Sequence, residues 1–283
     1  MTDNVEILRY TAFTHDPEGG NPAGIVLDAG TLSDDEMLAL AAKVGYSETA
    51  FLTARDDERR AFQVRYFAPS AEVAFCGHAT IATAVALAER LGTGPLLFDT
   101  RAGEIAVETE IVDDVLRATL TSVPTRSRPA EEKALDETLA ALGWSRDDLD
   151  PAFPPHVAFG GNDHLTLAAA TRERLADLDY DFDRLKALME REGWTTVNLF
   201  WRESDERFHA RNPFPVGGVV EDPATGAAAA AFGGYLRTLG LGSAEFTVIQ
   251  GVDMGRPSTL TVSIAAPDGR SRVSGGAVVI QDA

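Results

Sequence analysis

Residues 72–92 read EVAFCGHATIATAVALAERLG. A cysteine, a glycine and a histidine stand at the mouth of an apolar helix made almost entirely of small residues. Residues 219–240, VVEDPATGAAAAAFGGYLRTLG, repeat the design, with Asp222 and Gly226 ahead of a second small-residue helix. The two turn glycines, Gly77 and Gly226, are 226 − 77 = 149 positions apart in a chain of 283 residues, so each half holds one such unit.

The flanking pattern recurs as well. In the first half, strands are expected at VEILRYTAF, GGNPAGIVL, SETAFLT and RAFQVRYFAP, where Phe62, Val64 and Tyr66 alternate with period two. A helix is expected over SDDEMLALAAKVG, with Ser33 as N-cap, acids in the first turn and Met37, Leu38, Ala41 and Val44 at helical spacing. The hairpin GEIAVETEIV–VLRATLTSV closes this half. The second half predicts helices at 130–142, 145–149 and 181–192. Its strands are expected near 156–160, 164–170, 195–202 and 206–211, then the glycine unit, then strands at 245–250, 259–265 and 272–280. This is the order of a diverged duplication: α/β, two similar lobes, each wrapping strands around one apolar helix. The proline- and charge-rich PTRSRPAEE suggests the boundary. The expected lobes are 1–123 and 124–271, with the last strand, about 272–283, returning to the first. A site in a cleft between lobes is expected, a common place for pockets.

Composition limits the function classes. Apolar content of 45% and charged content of 24% are those of a globular protein. No apolar run reaches the ~18 residues of a membrane span. The start, MTDNVEILRYTAF, lacks the pattern of a secretory signal, and the cytoplasm is the expected location. A net charge of −19 argues against nucleic acid and anionic membranes as partners. A single cysteine excludes an internal disulfide framework or a cysteine-cluster metal site, and the other histidines show no ligand spacing, so no metal is expected.

Helix N-termini leave backbone N–H groups unpaired and carry partial positive charge, and small residues let a ligand approach closely. CGHAT and PATGAA would thus cradle a carboxylate, or an enolate forming beside one. The titratable candidates nearby are Glu48, Cys76, His78 and Asp222. Glu48, in an otherwise apolar strand, is either a solvent-facing strand residue or a carboxylate that moves protons. His78 is either a polar residue at a helix start or a proton carrier. Cys76 is either a small core residue or an activated thiol. Asp222 suits an N-cap, with Pro223 at the first helical position, and could also touch substrate. GGNPAG lacks the lysine of a phosphate loop, and no G-x-G-x-x-G opens the chain.

Four blocks, AFT…GGNPAGIVL, GYSETAFL, VRYFAPSAEVAFCGHATIATA and EDPATGAAAAAFGGYL, occur in order over residues 12–236. Together they resemble the signature blocks of the PhzF-like phenazine-biosynthesis isomerase family. Its wider relatives are diaminopimelate epimerase and proline racemase, which use two cysteines as acid and base. The resemblance implies a diaminopimelate epimerase-like fold, cofactor-independent proton transfer on a small carboxylate-bearing substrate, and a homodimer. It places the proton-shuttling glutamate at Glu48, the family histidine at His78 and the aspartate at Asp222. Gly77 and His78 would form one side of a carboxylate cradle, and Thr225, Gly226 and Ala227 the other. Asn21 and Cys76 complete the expected substrate contacts. Two positions depart from the phenazine enzyme itself: Ala227, where D-P-A-T-G-S has a serine, and Cys76, where it has F-A-G-H. Two further readings follow from the residues: a two-base racemase using Cys76 with Glu48 or Asp222, and a non-catalytic module that binds small acids.

Overall fold

A computed structural model describes residues 5–265 and 267–281. The chain divides into two compact units. One is Ser122–Val273, and the other is formed by the chain before and after it.

In the first unit the elements run β1 (Leu8–Ala12), β2 (Asn21–Val26), α1 (Asp34–Val44), β3 (Glu48–Asp56), β4 (Ala61–Ala68), β5 (Ala71–Val73), α2 (Gly77–Leu91), β6 (Gly94–Thr100), β7 (Gly103–Val112) and β8 (Val115–Pro124). β1 pairs antiparallel with β2, β2 parallel with β3, β3 antiparallel with β4, β4 parallel with β6, and β6–β7–β8 form antiparallel hairpins. The C-terminal strand, Arg270–Val279, pairs with both β8 and β1 and closes an eight-stranded barrel. The wrapped helix is α2: every residue from Gly77 to Ala88 is buried. Its run of Ala, Thr and Gly is what a helix needs when strands approach on all sides, because larger side chains would not fit. α1 lies outside, with the expected Ser33 N-cap and acidic first turn; Glu36 closes a capping box with Ser33.

The second unit continues with β9 (Arg126–Pro129), α3 (Glu132–Leu142), β10 (His156–Phe159), β11 (Asp163–Ala168), α4 (Arg172–Ala176), α5 (Phe182–Glu192), β12 (Trp194–Ser204), β13 (Arg207–Pro213), β14 (Glu221–Asp222), α6 (Gly226–Leu239), β15 (Glu245–Gln250), β16 (Ser258–Ser263) and β17 (Arg270–Val279). Its pairings repeat those of the first unit in the same order. β10–β11 is antiparallel, β11–β12 parallel, β12–β13 antiparallel, β13–β15 parallel and β15–β16 antiparallel. In both units a short strand pairs with the one before it, β5 with β4 and β14 with β13, and delivers the chain to the buried helix. The duplication is therefore one of pairing order as well as of element order.

α6 explains its own composition. A Cβ on Gly233 would lie 2.7 Å from Ile264 and 2.8 Å from Ser271, and one on Gly234 would lie 2.5 Å from Thr125. On another side, a Cβ on Gly160, just past β10, would meet the Ala231 backbone nitrogen at 2.6 Å. Phe232 packs among Phe200, Phe208, Tyr235 and Phe246, the aromatic core of this unit.

The PTRSRP stretch lies just past the division between the units at Thr121/Ser122 and is itself paired: Ser122–Pro124 ends β8, and Arg126–Pro129 pairs with β10. Pro124 and Pro129 each end a strand, where a missing N–H costs little. Two expectations are corrected. Residues 145–149 form one short 3-10 turn, Arg146–Asp148, rather than a helix. Asp222 is not the N-cap of α6; that place belongs to Thr225. Among the described residues no helix is long and apolar enough to cross a membrane.

Candidate active site

The first unit gathers Asn21, Glu48, Cys76, Gly77 and His78. Asn21 opens β2, Glu48 opens β3, and Cys76 is the N-cap of α2. The Cys76 side chain makes no capping hydrogen bond to the helix. Its carbonyl instead accepts from the Thr80 N–H at 3.0 Å and the Thr80 hydroxyl at 2.7 Å. Tyr66 Oη lies 2.7 Å from that same hydroxyl, and burial pushes the Tyr66 phenol well above its ordinary pKa. The first turn of α2 is thus held from the barrel wall.

His78 sits at the second helical position, so it is not a cap. Its ring is held between four polar neighbours. Asn21 Nδ2 is 3.1 Å from Nδ1, Ser47 Oγ 3.4 Å from Nε2, Glu48 Oε2 3.5 Å from Nε2, and Cys76 Sγ 3.4 Å from Nδ1. A carboxamide N–H only donates, so Nδ1 accepts from Asn21. The proton of the neutral ring then sits on Nε2, facing Ser47 and Glu48. Glu48 keeps 13% of its side chain exposed, and that of His78 keeps 6%. The arrangement is a carboxylate with one open side, backed by an imidazole that can give or take a proton. Ser47 is a contact the sequence reading passed over, although it stands beside Glu48 in GYSETAFL.

The second unit gathers Asp222, Thr225, Gly226 and Ala227. Asp222 ends β14 opposite Asn212 of β13. Thr225 Oγ1 donates to Asp222 Oδ2 at 2.6 Å and accepts from Gln250 Nε2 at 3.1 Å. Gln250 also donates to the Asp222 carbonyl at 2.7 Å and accepts from the Thr225 N–H at 3.2 Å. A buried glutamine therefore ties the whole DPAT turn together. No local motif marks Gln250. The next residue, Gly251, has φ +75° and backbone atoms crowding its Cβ position, so only glycine lets the strand end there.

An ion pair braces each glycine turn. Arg65 of β4 grips Glu72 through Nε and Nη2, both at 2.8 Å. Arg211 of β13 grips Glu221 through the same two nitrogens, at 3.0 and 2.6 Å, and donates Nη1 to the Ala176 carbonyl. Each glutamate stands five residues before its helix glycine. A bidentate fork fixes angle as well as distance, so it pins β5 or β14 and with it the turn that follows.

Duplication also shows where the halves differ. Val73 and Asp222 each precede the helix glycine by four residues and pair with Tyr66 and Asn212. Tyr66 pairs with Ala50, and Asn212 contacts Asn198 at 3.3 Å. Counting two residues back along β3 and β12, Thr196 occupies the place of Glu48. The Cys76 position is likewise taken by Thr225. Acid–base side chains at these places belong to the first unit alone.

A family model for phenazine biosynthesis-like proteins, PhzC-PhzF, matches residues 10–283. The chain belongs to the PhzF-like family. An isomerase from Bacillus subtilis, YfhB, itself uncharacterized, is 30% identical over 95% of this chain and 94% of its own. The trans-2,3-dihydro-3-hydroxyanthranilate isomerase of Pseudomonas chlororaphis is 31% identical over 92% of this chain and 89% of its own. Among solved structures, a predicted epimerase from Pseudomonas aeruginosa is 27% identical, with a TM-score of 0.85 over 98% of both chains. The two barrel-and-helix lobes are those that the PhzF-like signature blocks imply.

Proposed function

We propose that this PhzF-family isomerase moves a proton between two carbons of a small carboxylate-bearing substrate, without a cofactor, with Glu48 as the acid/base. The observation that carries the reading is the Glu48 carboxylate, partly exposed and 3.5 Å from the Nε2 of a histidine that Asn21 orients. Glu48 takes the proton from carbon next to a carboxylate or a conjugated system. The backbone N–H groups opening α2 stabilise the anion that forms. Glu48 then returns the proton at the second carbon. His78 orients the substrate and relays protons to Glu48. Asp222, Thr225, Gly226 and Ala227 are assigned to holding the substrate's polar groups, with Gln250 fixing their turn.

A racemase reading with Cys76 as one of two bases draws on the 3.4 Å contact between Cys76 Sγ and His78 Nδ1. Its second base is Glu48 or Asp222, because the corresponding helix cap of the second unit, Thr225, offers a hydroxyl and no second thiol. A module that only binds acids is disfavoured by Glu48: a carboxylate in the wall repels a carboxylate ligand. The homodimer is carried as part of the proposal, with light scattering as its test.

The test is hydrogen exchange from deuterated solvent into a panel of small unsaturated and amino acids, headed by trans-2,3-dihydro-3-hydroxyanthranilate. Exchange needs only the first half of the reaction, so it reports proton abstraction even on a poor substrate. Binding of panel acids without exchange at any carbon would favour the module.

A further inference from the structure

We infer that Glu48, Cys76 and His78 form a three-ligand site for zinc, whose occupation shuts off proton transfer. The three donor atoms, one carboxylate oxygen, one thiol sulfur and one ring nitrogen, all lie within 4.8 Å of one another. Sulfur, imidazole and carboxylate are the zinc donors of proteins, and three protein ligands leave a fourth position open. The spacing fits. Zn–N of about 2.05 Å and Zn–S of about 2.3 Å at tetrahedral angles put nitrogen and sulfur about 3.5 Å apart, and nitrogen and a carboxylate oxygen about 3.4 Å apart. Here His78 Nε2 is 3.7 Å from Cys76 Sγ and 3.5 Å from Glu48 Oε2. The sulfur also lies 3.4 Å from Nδ1, so binding at Nε2 requires the Cys76 and Glu48 side chains to rotate until sulfur and oxygen both face that nitrogen.

Charge also balances. The helix N-terminus carries about half a positive charge and opposes a cation. A thiolate and a carboxylate supply two negative charges at the ion itself, so the site with zinc bound is neutral apart from that dipole. Binding releases the Cys76 thiol proton to solvent. It also needs His78 to coordinate through Nε2 and carry its proton on Nδ1. Asn21 faces that nitrogen at 3.1 Å; turning its carboxamide presents an oxygen that accepts the proton. The result is a metal–histidine–amide chain, in which the outer partner fixes the ligand's tautomer.

Binding is read without reference to activity. The chelator-treated full chain is titrated with Co²⁺ and then with Zn²⁺. The expected result is a near-ultraviolet thiolate-to-cobalt band that saturates at one ion per chain and is lost when Zn²⁺ displaces the cobalt. Cys76→Ser and Cys76→Ala, both confirmed folded by circular dichroism, should lose the band and bind Zn²⁺ at least tenfold more weakly by calorimetry. Asn21→Asp gives His78 a carboxylate partner and should tighten Zn²⁺ binding by roughly 10–100-fold. No thiolate band in the parent, parent-like zinc affinity in the cysteine variants, or no tightening in Asn21→Asp overturns the site. The claim that zinc stops proton transfer rests on the proposed role of Glu48. One equivalent of Zn²⁺ should abolish exchange. A cobalt band with undiminished exchange keeps the metal site and removes Glu48 from the chemistry.

Discussion

His164 should make this protein acid-sensitive, through a group far in sequence from every block that identifies the family. The side chain is fully buried in the second unit. Its Nδ1 is 2.8 Å from Thr196 Oγ1, whose hydroxyl donates onward to Asn212 Oδ1 at 2.9 Å. Nδ1 therefore carries the proton of the neutral ring. Nε2 has no partner among the described residues, so protonation would bury an N–H with no acceptor. Burial pulls the ring pKa down from 6.5 to about 3. The unfolded chain binds the proton at about 6.5 and the folded chain resists it until about 3, so stability is complete above 6.5 and is lost as pH falls through that window. At about 1.4 kcal/mol per pH unit, moving from pH 7 to pH 5 costs about 2 kcal/mol from this residue alone. Urea denaturation at both pH values, on the parent and on His164→Asn, isolates the contribution, since the paired carboxylates and His156 titrate in both proteins. The variant should be less stable at pH 7 yet lose about 2 kcal/mol less on acidification. Equal acid losses in the two proteins would refute the reasoning.

Glu221→Gln breaks a buried ion pair and strands Arg211, so it should cost about 3–5 kcal/mol in urea; replacing both partners, as Arg211→Met with Glu221→Leu, should cost clearly less. Gly160→Ala drives a methyl into the backbone of α6 and should lower stability by about 1–3 kcal/mol, measured by thermal melting. Thr225→Val removes the hydroxyl that donates to Asp222, a bond to a charged group whose loss costs about 1.5–3 kcal/mol; it should raise KM for a true substrate while exchange through Glu48 persists. Cys76→Ala should retain exchange within a few-fold, and a loss as large as that expected of Glu48→Gln would revive the two-base reading.

The glycine turns were legible because they join two strong local signals, an alternating strand and a helix made only of small residues, in a fixed order. The duplication was legible as order alone; the matched pairing directions that support it are long-range and leave no trace in a sequence. β6 was missed because its Gly94-Pro95 start has the form of a turn, and β14 because it is two residues long. Asp222 was misjudged for a physical reason. Asp-Pro has the form of a cap followed by a first helical residue, but the pairing of Asp222 with Asn212 holds it in a strand, and the helix starts four residues later. Glu48, His78 and Asn21 lie in marked blocks and meet in space. Gln250, His164 and Thr196 act through partners 16 to 32 positions away, and nothing in their neighbours announces it.

The most direct measurement compares parent and Glu48→Gln in deuterated solvent, following isotope incorporation into the panel acids, trans-2,3-dihydro-3-hydroxyanthranilate first. The two side chains have nearly the same size, so the Ser47–His78–Asn21 cluster should persist and only the base is lost. Removing a positioned general base costs about 10²–10⁴ in rate, and the account predicts a fall of that size with substrate binding retained. Exchange at the parent rate in the Glu48→Gln protein would contradict it.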